Sequence, residues 1–407
     1  MNVIFISPHF PLYFYEFCAR LKEREVHVLG IGDTSYNSLP EHTKNALTEY
    51  YRVDHLDDYE EMYRACAYFT WHYGHIDWIE SQNEYWLELE AMLRSDFNVN
   101  TGMKIQDMDT IKYKSKMKDV YRKIGIPTAR YHLVKDYNDT KWFANEVGYP
   151  VIVKPDKGVG ASSTYELKND DELNYFFATK DPHIPFIMEE KVPGHVETFD
   201  GISDSHKNIL LCSSHVMLNP ILENVTQARD TAFITQAVDQ TDLYEIGKKA
   251  VDGFDAKSRF FHFEFFRLDE DREGLGHRGD IVGLEVNMRA PGAYMPDMMN
   301  YEYNVDVYTI WADMLKYDQC FYDIHRECLV GYIARRYAID YRYSLDQVRE
   351  MYAGRIIDEI EVPSIHAQAM GDYVLLVKGQ TKEELYDMVQ TILLRADGSQ
   401  WIKEEKR

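Results

Sequence analysis

Cysteine is scarce in this sequence, and its distribution argues against protein classes built on disulfides or zinc. The chain of 407 residues contains 5 cysteines, and none of them form a CxxC motif. An odd, scattered set of cysteines is typical of a reducing compartment, so the expected location is the cytoplasm. The opening segment MNVIFISPHF has an apolar run too short for a signal peptide or a membrane span. It predicts a buried strand instead.

Positive charge is also in short supply. Lys and Arg number 45 against 68 Asp and Glu, which gives a net charge of −23. Such an acidic chain is not expected to use nucleic acid or an anionic membrane as its main partner. A nucleotide can still bind, because nearby basic groups outweigh distant charge that salt screens. The sequence has no repeat of fixed period, and its 45% hydrophobic and 28% charged residues are typical of a soluble globular protein.

The length predicts two to four domains rather than a single core. Residues 1–105 alternate between strand and helix patterns, which predicts a small α/β domain with a mostly parallel sheet. Gly30 and Gly32 follow the second strand, and no third glycine opens a helix, so a dinucleotide-binding fingerprint is weak to absent. Towards the C-terminus, the strand GDYVLLVKG and the helix TKEELYDMVQTILLRA predict a small α+β domain.

A basic region begins after residue 105. The segment TIKYKSKMKDVYRKIGIP predicts one Lys-rich helix that Gly125 and Pro127 close. In VIVKPDKGVGASST, an apolar strand ends at Lys154 and a glycine-containing loop follows. Backbone N–H groups of such a loop can approach phosphate oxygens, while Lys154 supplies a fixed charge. An ordinary hairpin with a glycine-rich turn fits the same residues equally well.

The segment FIMEEKVPG predicts a strand that reaches two acids and then a tight linker. Backbone groups of Glu190 and Val192 are suited to the edge of an adenine ring, and Glu197 is suited to accept ribose hydroxyl protons. A hairpin with a solvated acidic tip is the plain alternative. The order of the Lys-rich helix, the glycine loop and this linker favours a two-lobed nucleotide cleft.

Two neighbouring strands carry acids where a core face would be apolar. In VGLEVNMRAPGAY, Glu285, Asn287 and Arg289 alternate, so all three project from one face of a strand. The strand RFFHFEFFRL carries Glu264, and the polar connection DEDREGLGHRGD predicts a hairpin that brings Glu264 beside Glu285 and Asn287. Two carboxylates and an amide oxygen suit Mg²⁺ that is shared with phosphate groups.

Two further polar residues have open roles. His262 lies two residues before Glu264 and is interpreted as a core histidine, the alternatives being a partner of Glu264 or a substrate contact. Arg229 lies in ENVTQARDTAFI, which predicts a plain surface loop, the alternative being a loop over the acceptor site.

Together these motifs resemble the ATP-grasp superfamily, which includes biotin carboxylase, D-alanine–D-alanine ligase and bacterial L-amino-acid ligases. The resemblance covers most of the chain and implies an α/β and α+β fold in three parts. These are an N-terminal α/β domain at residues 1–105, an ATP-grasp domain at 106–315 and a C-terminal α+β domain at 316–407. The two lobes of the ATP-grasp domain are expected at about 106–190 and 191–315.

The resemblance also implies roles for individual residues. Lys154 and Arg289 are expected to be catalytic, with Arg289 facing an acyl-phosphate. The metal ligands are expected to be Glu264, Glu285 and Asn287. After the arginine, APGAY replaces the usual two adjacent glycines, so the acceptor pocket is expected to be shaped differently. The residues expected to bind the nucleotide are Lys114, Lys154, Gly158, Gly160, Ser162, Ser163, Glu189, Glu190, Val192 and Glu197.

The activity that the resemblance implies is an ATP-dependent ligase that activates a small carboxylate as an acyl-phosphate for attack by an amine. Its cofactors are expected to be ATP and Mg²⁺, or Mn²⁺ in place of Mg²⁺, and a homodimer is expected. Two alternatives stay open: a carboxylase or carbamoyl-phosphate-type enzyme that uses bicarbonate, and a nucleotide-binding protein without catalysis.

Overall fold

The structure is a computed structural model that describes residues 1–158, 163–219 and 230–401. The strands are β1 Asn2–Ile6, β2 His27–Gly32, β3 Glu49–Arg52, β4 Trp78–Glu80, β5 Tyr131–Leu133, β6 Val151–Pro155, β7 Tyr165–Leu167, β8 Phe186–Glu190, β9 Gly194–Ser203, β10 Ile209–Ser213, β11 His215–Met217, β12 Thr231–Thr235, β13 Arg259–Leu268, β14 Ile281–Asn287, β15 Leu329–Arg335, β16 Ile356–Glu361 and β17 Tyr373–Gly379. The α-helices are α1 Tyr15–Glu23, α2 Glu41–Ala46, α3 Tyr59–Tyr73, α4 Leu87–Asp96, α5 Asp109–Lys112, α6 Lys114–Lys123, α7 Tyr137–Val147, α8 Asp170–Thr179, α9 Leu243–Gly253, α10 Met295–Tyr303, α11 Val307–Tyr317, α12 Leu345–Met351, α13 Ser364–Met370 and α14 Lys382–Ile392. No helix within these ranges is long and apolar enough to cross a membrane.

The N-terminal strands form a parallel sheet in the order β3-β2-β1-β4. Buried aliphatic residues of β1 and β2 pack against α3 and α4, and Phe5 packs on the other side against Phe17 and Trp311. A parallel sheet needs apolar cover on both faces, and these helices provide it. The predicted α/β character of this part is confirmed.

Two further sheets form the centre of the protein. A four-stranded sheet has the order β5-β8-β6-β7, and α7 and α8 cover one of its faces. A nine-stranded sheet has the order β14-β13-β9-β11-β12-β15-β17-β16, and β10 also pairs with β9. Consecutive strands β8 and β9 belong to different sheets, so the short linker at 191–193 joins the two sheets.

The C-terminal strands β15, β16 and β17 continue the nine-stranded sheet rather than forming a sheet of their own. Helix α14 packs on this end of the sheet through Leu385, Val389 and Ile392. Strand β17 and α14 confirm the elements that the sequence predicts there. The predicted domain boundaries at 105/106 and 315/316 stay predictions.

The Lys-rich segment is not the single helix that the sequence predicts. It forms α5 and α6, separated by Tyr113 in an extended conformation with φ −97° and ψ 120°. Tyr113 forms an antiparallel bridge with Lys157, and the Lys114 amide donates to the Asp156 carbonyl at 2.8 Å. Pairing with the segment after β6 therefore outweighs the helical propensity of the lysines, a tertiary effect that propensity does not include.

One face of the nine-stranded sheet is apolar and aromatic. Phe199 on β9 stacks on Phe261 of β13, and α6 and α9 cover this face. Gly247 of α9 lies against Phe199: a Cβ atom there would come within 2.4 Å of the phenyl ring. The close approach of α9 to the sheet thus depends on a residue without a side chain.

Gly247→Ala is expected to lower the free energy of unfolding by about 1–2 kcal/mol. A contact as short as this one corresponds to the upper half of the usual overpacking cost, about 2–3 kcal/mol, and the better helix propensity of alanine offsets about 1 kcal/mol of it. Urea denaturation measures the change, with Lys249→Ala on the exposed side of the same helix as the control. A Gly247→Ala protein as stable as the parent would contradict the packing.

Candidate active site

The break in the Lys-rich segment determines the position of the first candidate lysine, Lys114. Lys114 is the first residue of α6, and its backbone is tied to the residues after β6 through Asp156. The Lys114 ammonium lies 3.4 Å from the Gly158 carbonyl oxygen and 3.5 Å from Glu285 Oε1. Lys114 is only 5% exposed, whereas Lys116 points to solvent. Of these two lysines, Lys114 is therefore the one that faces the acids.

The second candidate lysine shares a buried carboxylate with a lysine that the sequence analysis did not select. Glu189 on β8 lies between the Lys154 ammonium at 3.1 Å and the Lys118 ammonium at 3.2 Å. Burial raises the pKa of Glu189, but the two ammonium groups outweigh burial and lower it to about 2. Lys118 follows Lys114 by four residues on the same face of α6, and this helical spacing is the signal that identifies it.

The predicted phosphate loop is described only at its ends. Gly158 contacts Lys114 through its carbonyl oxygen, and Ser163 is exposed with a left-handed φ of 58°. The predicted residues Gly160 and Ser162 lie outside the described residues, as does Arg229.

The linker between β8 and β9 presents backbone rather than side chains. The Glu190 carboxylate receives a bidentate pair from Arg130 at 2.8 and 3.1 Å, and the Glu190 amide donates to the Arg130 carbonyl. The Val192 side chain packs in a small cluster with Ala129 and Val282. Among the described residues, none hydrogen-bonds to the Val192 backbone.

The predicted acids lie on neighbouring strands, as expected from the sequence. In the antiparallel pairing of β13 and β14, Glu264 lies opposite Glu285 and His262 lies opposite Asn287. Directly opposite residues share a face of the sheet, so all four side chains project to the same side. Burial raises the pKa of Glu285, and repulsion from Glu264 raises it further, while the Lys114 ammonium opposes both.

These acids fit a divalent cation that also binds phosphate. Among the described residues, no group of three or more His, Cys, Asp or Glu side chains is placed to hold a metal ion by itself. Glu264 and Glu285 contribute two carboxylates, and their mutual repulsion favours a cation between them. Mg²⁺ in such sites takes one or two protein carboxylates and completes its coordination with substrate phosphates and water.

The N-terminal domain reaches this site through the loop between β4 and α4. Glu84 Oε2 lies 3.1 Å from Arg289 Nη2. When the side-chain amide nitrogen of Asn287 faces Glu84, it donates to the same carboxylate at 3.1 Å. Gln82 Oε1 accepts from the Ala290 amide at 3.0 Å. Glu84 and Gln82 are not predicted from the sequence, because no sequence pattern links the loop between β4 and α4 to the distant Arg289.

The structure does not bring Glu197 to the other candidates. In the pairing of β9 with β13, Glu197 lies opposite Phe265 and Thr198 lies opposite Glu264, so Glu197 and Glu264 project from opposite faces. Arg267 contacts both Glu197 carboxylate oxygens at 2.9 Å. Burial raises the pKa of Glu197, but hydrogen bonds from His195 and Arg267 lower it to about 2. Glu197 is therefore an ion-pair partner, and the ribose role expected of it is not supported.

His262 is not the plain core histidine that the sequence analysis favours. Its imidazole lies between Asp200 and Glu264, so the alternative role as a partner of Glu264 fits the structure. Burial lowers the pKa of His262, but the two carboxylates outweigh burial and raise it to about 9.

Several known sequences are similar to parts of this chain. Residues 110–239 match the family described as carbamoyl-phosphate synthase L chain, ATP binding domain. An L-arginine-specific L-amino acid ligase of Bacillus subtilis is 22% identical over 249 residues, which are 60% of this chain and 57% of the ligase. The carbamoyl phosphate synthase large chain of Agathobacter rectalis is 29% identical over 118 residues, 28% of this chain and 11% of the synthase. The matched regions thus span less than two thirds of either relative.

Solved structures resemble the whole chain. The L-amino acid ligase of Bacillus licheniformis superposes with a TM-score of 0.69 at 15% identity and covers 95% of both chains. The biotin carboxylase domain of Hydrogenobacter thermophilus 2-oxoglutarate carboxylase superposes with a TM-score of 0.68 at 16% identity, and the match covers 96% of this chain and 89% of the carboxylase domain. The predicted mixed α/β architecture is confirmed, and the match at residues 110–239 supports the resemblance to the ATP-grasp superfamily.

Glu197→Gln is expected to lower the free energy of unfolding by about 2 kcal/mol, because it removes the charge from a buried bidentate pair. Its affinity for ATP is expected to equal that of the parent, since Glu197 projects away from the lysines and acids. Chemical denaturation and titration calorimetry measure the two quantities, and Glu245→Gln on exposed α9 surface is the control. If Glu197→Gln weakened ATP binding without changing stability, the ion-pair interpretation would be wrong and a role of Glu197 in nucleotide binding would be supported.

Proposed function

We propose that this protein is an ATP- and Mg²⁺-dependent ligase that activates a carboxylate as an acyl-phosphate and joins it to an amine, with release of ADP and phosphate. The observation that carries the proposal is the approach of Lys114 to Glu285, at 3.5 Å. This contact brings the lysine side of the site, built from α6 and the four-stranded sheet, to the acids of the nine-stranded sheet. Lysines and acids together match the charges of phosphates and a divalent cation.

Lys114 and Lys154 would bind the phosphates. Both ammonium groups are almost fully buried, and a buried positive charge needs a compensating anion. Lys154 has part of that compensation in Glu189, which it shares with Lys118. Two lysines on one carboxylate leave a net positive charge, and phosphate oxygens are suited to balance it. The backbone of Val192 and the nearby Glu189 would contact the adenine.

Glu264, Glu285 and Asn287 would hold Mg²⁺, which neutralises phosphate charge during transfer when it is bound. Arg289 lies at the end of the same strand, 16% exposed, and is oriented by Glu84. Its guanidinium is suited to stabilise the oxygens of an acyl-phosphate, since arginine forms paired hydrogen bonds with phosphate. The protein thus acts by positioning and by charge, and no covalent protein intermediate is needed.

The relatives support a carboxylate substrate but differ in which one. Similarity to the L-amino acid ligases supports an amino acid as the carboxylate substrate. Similarity to the carbamoyl phosphate synthase and to the biotin carboxylase domain supports bicarbonate instead. We favour the amino acid, because the sequence match to the L-amino acid ligase covers 60% of this chain and the match to the carbamoyl phosphate synthase covers 28%. A homodimer, and Mn²⁺ as a substitute for Mg²⁺, stay predictions.

The reaction class can be tested with purified protein, ATP and Mg²⁺. Pooled amino acids are expected to stimulate release of ADP and phosphate, and mass spectrometry is expected to detect a dipeptide or another amide. Bicarbonate alone is expected to have no effect. Stimulation by bicarbonate without amino acids would replace the proposal by the carboxylase alternative, and no stimulation by either class would contradict both activities.

Lys154→Met is expected to abolish amino-acid-dependent ADP release and to weaken ATP binding at least about tenfold, because one charge-assisted contact to phosphate contributes roughly 1.5–3 kcal/mol. Titration calorimetry with a non-hydrolysable ATP analogue measures binding apart from turnover. Lys116→Met is the matched control, since Lys116 lies on the exposed side of α6. Equal effects of the two changes would contradict the assignment of Lys154.

A further inference from the structure

A row of buried polar side chains crosses the nine-stranded sheet next to the acids. Glu264 and His262 lie on β13, Thr198 and Asp200 on β9, and His215 on β11. The pairing of His262 with Asp200 and of Glu264 with Thr198 places these side chains on one face. Asp200 and His215 are fully buried, and His262 is 6% exposed. Buried charges of this kind persist only when they are paired.

The row is a continuous chain of contacts that ends at Glu264. His262 Nδ1 lies 2.5 Å from Asp200 Oδ1, and His262 Nε2 lies 3.2 Å from Glu264 Oε1. The other Asp200 oxygen lies 2.8 Å from His215 Nδ1 and accepts a hydrogen bond from the Thr198 hydroxyl. Asp200 is thus held by three side chains, and it holds the imidazole of His262.

His262 is the side chain that fixes the orientation of Glu264. Within the described parts of the chain, no other side chain lies within hydrogen-bond or ion-pair distance of the Glu264 carboxylate. Its opposite neighbour Glu285 repels it and has its own partner in Lys114. Without His262, the Glu264 carboxylate would therefore be free to rotate away from Glu285.

We propose that His262, anchored by Asp200, is a positioning residue that holds one Glu264 oxygen and leaves the other directed at the divalent cation. This inference rests on the proposed function, because it assigns Glu264 to the cation. Side chains that hydrogen-bond to metal-binding carboxylates orient them, and their loss weakens metal affinity by about 10- to 100-fold. His262 itself does not touch the cation.

Two substitutions of His262 separate positioning from packing. In His262→Gln, the amide nitrogen reaches about as far as Nε2 and can still donate to Glu264. In His262→Asn, the shorter amide reaches about as far as Nδ1 and can donate only to Asp200. Both remove the ring and its charge. Binding of Mn²⁺ in the presence of ADP, followed by electron paramagnetic resonance, is expected to weaken about 10- to 100-fold in His262→Asn and much less in His262→Gln.

Thr198→Val is the matched control, because it removes a donor to Asp200 without touching Glu264 and should bind Mn²⁺ like the parent. Melting temperatures in EDTA without nucleotide report the loss of packing in each variant. Equal Mn²⁺ affinities for the two His262 variants, or a loss in Thr198→Val as large as in His262→Asn, would overturn the proposal. A parent protein that binds Mn²⁺ with ADP but releases no ADP with amino acids would contradict the proposed function instead.

Discussion

A carboxylate shared by two buried lysines organises the nucleotide side of this protein. Glu189 lies on β8, Lys154 on β6 and Lys118 on α6, so their contacts join the four-stranded sheet to the Lys-rich helix. Neither lysine could stay buried without that carboxylate, because an isolated buried charge is strongly unfavourable. In the proposed function, phosphate oxygens would balance the remaining positive charge of this cluster, so the contacts that stabilise the fold would also serve phosphate binding.

The opposite side of the site has the complementary charge. Glu264 and Glu285 face each other on β13 and β14, and Lys114 crosses from the basic side to contact Glu285. In the proposed function, a nucleotide with a divalent cation would satisfy both sides at once, with phosphates at the lysines and the cation at the acids. The N-terminal domain adds Glu84, which orients Arg289 at the end of β14.

The sequence predicted features that depend on local pattern. The alternation of Glu285 and Asn287, and the polar connection before β14, were enough to predict the hairpin and its acids. The sequence did not predict Glu84 or the break at Tyr113, because each depends on contacts between distant segments. Lys118 was not predicted either, although its spacing of four residues from Lys114 places it on the same helix face. The ribose role expected of Glu197 is not supported, because its strand pairing separates it from Glu264. Successive residues of a strand project to opposite faces of the sheet, and the pairing with β13 places Glu197 on the face opposite to that of Glu264.

A crystal structure with a non-hydrolysable ATP analogue and Mg²⁺ tests the central claim most directly. The account predicts that the terminal phosphates lie between Lys114 and Lys154, and that the cation contacts Glu264 and Glu285 on the face that also carries His262. A nucleotide bound beside Glu197 and Arg267 on the other face of the sheet, or a cation that contacts neither acid, would contradict it.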